Sequence, residues 1–152
     1  MSDLTRQAVS ATTHCLTGCA IGEVLGMVLA TWWGWGNAPS IALAVVLAFF
    51  FGYLLSFAPV VRAGVPIRQA LVVVLLADTL SILTMELVDN AVLLVVPGAM
   101  DAGLLDWLFW GSLAVSLAVA FVVTVPVNRA LIARGRGHAL THAYMHGHAH
   151  HQ

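Results

Sequence analysis

Four long apolar runs leave this chain little choice of fold. They extend from about Val9 to Trp33, Ile41 to Val61, Ala70 to Val96 and Leu104 to Val127. Each reaches the roughly 20 residues that an α-helix needs to cross a hydrocarbon core. In lipid a spanning segment must satisfy its own backbone N–H and C=O groups, and a helix does so without a partner strand. Only 9% of the 152 residues are charged, too few to cover a soluble domain of this length. The expectation is an all-α integral membrane protein with the lipid bilayer as solvent. Residues 1–136 form a four-helix transmembrane bundle, and 137–152 form a histidine-rich tail. Short connections make consecutive helices antiparallel neighbours.

The basic residues set an expected orientation. All six are arginine: Arg6 precedes the first span, Arg62 and Arg68 lie between the second and third, and Arg129, Arg134 and Arg136 follow the fourth. The other two connections carry none. The positive-inside rule then puts both termini and the second connection in the cytoplasm. Trp32, Trp33, Trp35, Trp107 and Trp110 fall at the opposite end, where an interfacial aromatic belt is expected. The first residues, Met-Ser-Asp-Leu-Thr-Arg, lack the features of a signal-peptide n-region, so the first span is expected to be retained. A net charge of -1 gives no reason to expect a nucleic-acid partner.

Within the first span, Cys15, Cys19, Glu23 and Met27 recur every four residues, a slowly drifting stripe on one side of a helix. Gly18, Gly22 and Gly26 repeat on the same period beside it and read as a close helix-packing face. His14 is adjacent to Cys15 but about 100° away around the helix, at the mouth of any site the stripe forms. The third span carries a second polar stripe. Asp78, Met85 and Asp89 share a narrow sector, and Glu86 lies roughly 60° from Asp89. Aligned from a common end, the first and third helices place Cys19 near Asp78, and Met27 near Met85 and Glu86, to within about one turn.

No basic residue lies inside the spans to neutralise these acids. A charge at the bilayer centre costs about 2.5–3.5 kcal/mol on insertion scales, so the acids are protonated or a cation neutralises them. Thiolate and thioether donors suit copper(I) or, for thiolate, zinc; carboxylates also complete zinc and iron sites. The expected metal set is therefore Cys15, Cys19, Glu23, His14, Asp78, Met85, Glu86, Asp89 and Met27, with copper first, zinc second and iron third. The tail adds His138, His142, His146, His148, His150 and His151. A histidine-rich tract of this kind commonly binds metal and reads as a collecting segment.

The segments His14-Cys-Leu-Thr-Gly-Cys19-Ala-Ile-Gly-Glu23, Asp78-Thr-Leu-Ser-Ile, Met85-Glu-Leu-Val-Asp-Asn90 and Pro97-Gly-Ala-Met-Asp101 together resemble a bacterial family of small membrane proteins catalogued as a domain of unknown function. That resemblance implies the bacterial inner membrane and brings no established activity. The leading expectation is a metal-binding membrane protein that transports or handles copper, or zinc, through a Cys/Glu/Asp/Met column between helices 1 and 3. A four-span bundle leaves little room for a wide path, so a homo-oligomer is expected. Two other readings stand beside it. One is a membrane thiol or metal-dependent oxidoreductase, although quinone-linked enzymes of that kind use a closer Cys-x-x-Cys. The other is a proton-coupled carrier in which the acids relay protons and the cysteines pack.

Overall fold

The computed structural model describes residues 2–134; the tail histidines His138, His142, His146, His148, His150 and His151 lie outside them. The chain forms four helices: α1 (Asp3–Trp33), α2 (Asn37–Arg62), α3 (Ile67–Val95) and α4 (Trp107–Ala133). All four are long and apolar enough to cross a membrane. A short 3-10 turn, Ala99–Asp101, lies between α3 and α4. The helices run alternately up and down, so one end of the bundle (the terminal end) carries both chain ends and the α2–α3 connection. The other (the loop end) carries the α1–α2 and α3–α4 connections.

Local chemistry sets the helix ends. Ser2 caps α1 by accepting the Thr5 N–H at 3.3 Å, with Asp3 in the first turn, where a negative charge suits the helix dipole. Helix α1 closes at Gly34, whose φ of 69° few side chains tolerate. Gly34 N–H donates to Thr31 O and Trp35 N–H to Ala30 O, a Schellman closure. In α2, Pro39 falls in the first turn, where backbone N–H groups have no helical acceptor anyway. Before α4, the Asp106 carboxylate accepts the Gly103 N–H at 2.9 Å and so begins the helix at Trp107.

The distribution of side chains is what an apolar surrounding requires. Leu76, Leu87, Leu94, Val95, Val122 and Phe50 are exposed, while Thr12, Glu23, Asp78, Ser81, Glu86, Asp89, Ser116, Thr124 and Asn128 are buried. In water that arrangement would be strongly unfavourable; in a bilayer it is the stable one. The chain is a multi-pass membrane protein. Trp32, Trp33, Trp35, Trp107 and Trp110 are all exposed at the loop end.

The tightest seam is between α1 and α2. A Cβ on Gly18 would stand 2.7 Å from Gly52 Cα, and one on Gly26 would stand 2.6 Å from Ala44 Cα. One on Gly22 would meet the Ala48 backbone still more closely. The facing stripe on α2, Ser40, Ala44, Ala48, Gly52, Ser56 and Val60, is small for most of its length. Glycines 18, 22 and 26 therefore let two backbones touch, as their spacing predicts. Helix α3 packs on α2 and α4 and lies diagonally across from α1, so the side-chain stripes of α1 and α3 meet at the bundle centre.

Candidate cation chamber

The interior is layered. Nearest the loop end is a carboxylate layer of Glu23 from α1 with Glu86 and Asp89 from α3. Glu23 faces both Asp89 and Glu86, and Ser116 of α4 stands beside Asp89. Below it lies a sulfur layer, in which Cys15, Cys19, Ile82 and Met85 pack with Ala48 and Ala120. Cys15 and Cys19 are neighbouring free thiols, and Cys19 also touches Glu86 across the layer boundary. Nearest the terminal end is a third polar layer. There Asn128 Nδ2 donates to Thr12 Oγ1 at 2.8 Å, a bond between residues 116 apart in sequence.

The three acids converge on a cavity of about 60 Å³ that extends from Glu23, Glu86 and Asp89 to Asn37 and Met100 at the loop end. That is room for a few waters or a small, partly hydrated ion. Met27, Ser40 and Asn90 also line it. Glu23, Glu86 and Asp89 are 7%, 3% and 1% exposed, and none of their six carboxyl oxygens has a hydrogen-bond partner. Two nearby donors are engaged elsewhere. The Ser116 hydroxyl donates to Leu113 O at 2.9 Å, and the Asn90 amide donates to the Glu86 backbone carbonyl at 2.8 Å. Two carboxyl groups can bond each other only through a proton. Buried polar groups are almost always paired, so a cluster of this kind needs an occupant such as water, a proton or a cation.

Among the described residues no arginine lies at this level. Arg62, Arg68, Arg129 and Arg134 all lie at the terminal end, outside this layer. Among the described residues the ion pair formed is Arg6–Asp3 at 2.6 Å, on the exposed first turn of α1.

The other expected site residues occupy different places. Met27 borders the cavity and also packs against the Phe109 cluster at the loop end. Met85 is completely buried in the sulfur layer. Asp78 is 1% exposed and sits three turns from Asp89 on α3, well away from the cavity. His14 stands outside the column altogether. It is exposed in the groove between α1 and α2, and its Nε2 lies 3.1 Å from the backbone oxygen of Leu55. That oxygen is free because Pro59, four residues on, has no N–H to donate to it. His14 therefore repairs the helix hydrogen bond that Pro59 removes. We expect His14→Leu to lower stability by about 1 kcal/mol in the native background and by much less beside Pro59→Ala, which restores the donor. Equal costs in both backgrounds, measured by thermal unfolding, would mean that the histidine acts elsewhere.

Sequence reasoning passed over Thr12, Thr124 and Asn128, which the structure buries. Ser112, Ser116, Ala120, Thr124 and Asn128 repeat every four residues and form the buried face of α4. That period was visible, but the polar members are sparse and uncharged. Asn37 donates to Asp101 Oδ1 at 3.3 Å and so ties the two loop-end connections across the cavity's upper end.

Among the described residues, no three His, Cys, Asp or Glu side chains stand close enough together to hold a metal ion as they are placed. The thiols belong to a packed layer beneath the cavity. No curated protein and no solved structure shows significant similarity to the chain. A family model described as a domain of unknown function, DUF4396, matches residues 5–137, so the chain belongs to that family.

Proposed function

We propose that this protein binds a divalent metal cation in the carboxylate chamber and passes it across the bacterial inner membrane, with both termini cytoplasmic. The observation that carries this reading is the set of three nine-tenths-buried acids that open on one cavity, their carboxyl oxygens without hydrogen-bond partners and without a basic neighbour among the described residues. Such a group is costly to keep unless something cationic occupies it. Oxygen donors with waters suit zinc or iron(II) better than copper(I), which prefers the sulfur ligands. Copper, first in rank from the sequence, falls behind them because Cys15, Cys19 and Met85 do not line the chamber and pack together beneath it. The histidine tail would collect the same ion on the cytoplasmic side, and a homo-oligomer remains part of the proposal.

Glu23, Glu86 and Asp89 would supply the charge that replaces the ion's hydration. Asn90 and Ser40 would offer neutral oxygens, and Asn37 with Asp101 would form the entrance from the loop end. A metal bound here would supply positive charge to the layer and coordinate its carboxylates.

The test is equilibrium binding of zinc and iron(II) to the purified protein, cut after Gly137 so that the tail does not contribute. Binding of about one ion per chain that Cys15→Ser/Cys19→Ser leaves within about three-fold would support the chamber. A loss of more than about ten-fold in that double variant would return the site to the sulfur layer and favour copper or a thiol oxidoreductase. The adjacency of Cys15 and Cys19, and of Cys19 and Glu86, is what keeps the oxidoreductase reading second.

A further inference from the structure

A second polar cluster lies on the far side of the sulfur layer, and nothing in the chamber reading uses it. Most hydroxyls in these helices are satisfied by the carbonyl one turn earlier. Thr12 donates to Ala8 O at 2.7 Å, Ser112 to Leu108 O at 2.7 Å, and Ser116 to Leu113 O at 2.9 Å. Ser81 and Thr124 do not follow. Both are 0% exposed, and neither hydroxyl has a hydrogen-bond partner. Asn128 is 1% exposed, and its Oδ1 is also unpartnered even though its Nδ2 is fixed on Thr12.

Register brings these atoms to two adjacent turns of the bundle. Asp89 stands beside Ser116, and Met85 shares a cluster with Ala120. One further turn along each antiparallel helix makes Ser81 level with Thr124. The next turn makes Asp78, 1% exposed, level with Asn128. Thr124 and Asn128 are four residues apart on one face of α4, and Thr12 holds Asn128 from α1.

We infer that Ser81, Thr124 and Asn128 form a water-holding node that carries protons between Asp78 and the sulfur layer. Three buried polar atoms without partners match the two to four contacts by which an internal water is held. Hydroxyls left free of the backbone can turn to donate or accept, as a relay needs. Among the described residues, the titratable groups facing this level are Asp78 from α3 and Cys15 from α1. From α2 comes Tyr53, whose hydroxyl is fixed on Thr79 Oγ1 at 2.8 Å. From α4 the nearest is Arg129, which is exposed. Asp78 is thus the carboxyl group of the node, and Cys15 and Cys19 lie between it and Glu86. The relay needs no metal, and so it stands or falls apart from the chamber reading.

The test uses the full chain in phosphatidylethanolamine–phosphatidylglycerol vesicles loaded with a pH dye, with chelator present and a potassium diffusion potential applied. Proton entry above that of empty vesicles is expected for the native protein. Thr124→Val, which keeps shape and removes the hydroxyl, should slow that entry by about ten-fold or more, and Ser81→Ala and Asp78→Asn should do likewise. Thr124→Val should unfold within about 3 °C of native in the same detergent, which shows that the variant is folded whether or not it binds metal. Native vesicles no leakier than empty ones, or a Thr124→Val variant as fast as native, would overturn the relay. Proton entry that persists in a protein unable to bind metal would leave the relay standing and remove the chamber reading alone.

Discussion

Glu23→Gln combined with Asp89→Asn is expected to make the metal-free protein more stable while abolishing its metal binding. In the native chain these two acids face each other, with Glu86 beside them and no hydrogen-bond partner on any of their carboxyl oxygens. Amide isosteres keep the shape, remove two like charges or the protons that mask them, and add N–H groups that the neighbouring oxygens can accept. The gain should be roughly 1–3 kcal/mol, the usual size of the penalty for an unsatisfied buried group, read as a higher Tm in chelator. Zinc affinity should fall by at least about a hundred-fold, since two charged ligands are gone. A protein folded for stability alone would not keep such a cluster. A double variant less stable than native would show that the acids are satisfied structural partners, and the chamber would lose its main support.

Gly22→Leu is expected to have the largest effect on the fold itself. Even a Cβ at position 22 would run into the Ala48 backbone N and Cα. Backbone cannot swing aside as a side-chain tip can, so α1 and α2 would have to separate along their closest seam. Gly22→Ala should cost about 1–3 kcal/mol, and Gly22→Leu more, enough to lose folded protein from the membrane. Ala48→Gly should not rescue either variant, because the clash is with main-chain atoms. Gly111→Ala is the contrasting case. Its Cβ would find Trp107 at an ordinary 3.7 Å, so the change should be neutral or stabilising by up to about 1 kcal/mol from helix propensity. Thermal unfolding of the three variants in one detergent would decide this, and similar Tm values for Gly22→Ala and Gly111→Ala would contradict the account.

The spans were legible because apolar length is a coarse and local signal. Their ends were less so. Helix α1 begins at Asp3, six residues before the apolar run, because Ser2 supplies a cap that hydropathy does not register. Helix α4 begins at Trp107, later than Leu104, because Asp106 closes a turn onto Gly103 first, and it continues past Val127 to Ala133. The glycine seam could be read from its period alone, since only small residues at that spacing permit the contact. The meeting of Glu23 with Glu86 and Asp89 could not: alignment from a common end puts Met27 beside Glu86 and Cys19 beside Asp78, whereas the packed helices bring Glu23 and Cys19 to Glu86, a shift of one turn or more. Single-helix periodicity could not separate the sulfurs from the cavity. Cys19 and Glu23 lie on one stripe of α1, but only the opposing helices decide which of them borders the cavity. His14 depends on a carbonyl freed by Pro59 in another helix, and Thr12 on Asn128 at the far end of the chain. Pairings of that kind belong to the tertiary fold.

The central claim is that the carboxylate layer is a cation site. The direct measurement is zinc binding to the protein cut after Gly137, compared with the same protein carrying Glu23→Gln, Glu86→Gln and Asp89→Asn together. About one zinc per chain in the first and none in the second, with both folded, is the expected result. Equal binding in the two, or no binding by the first, would contradict it.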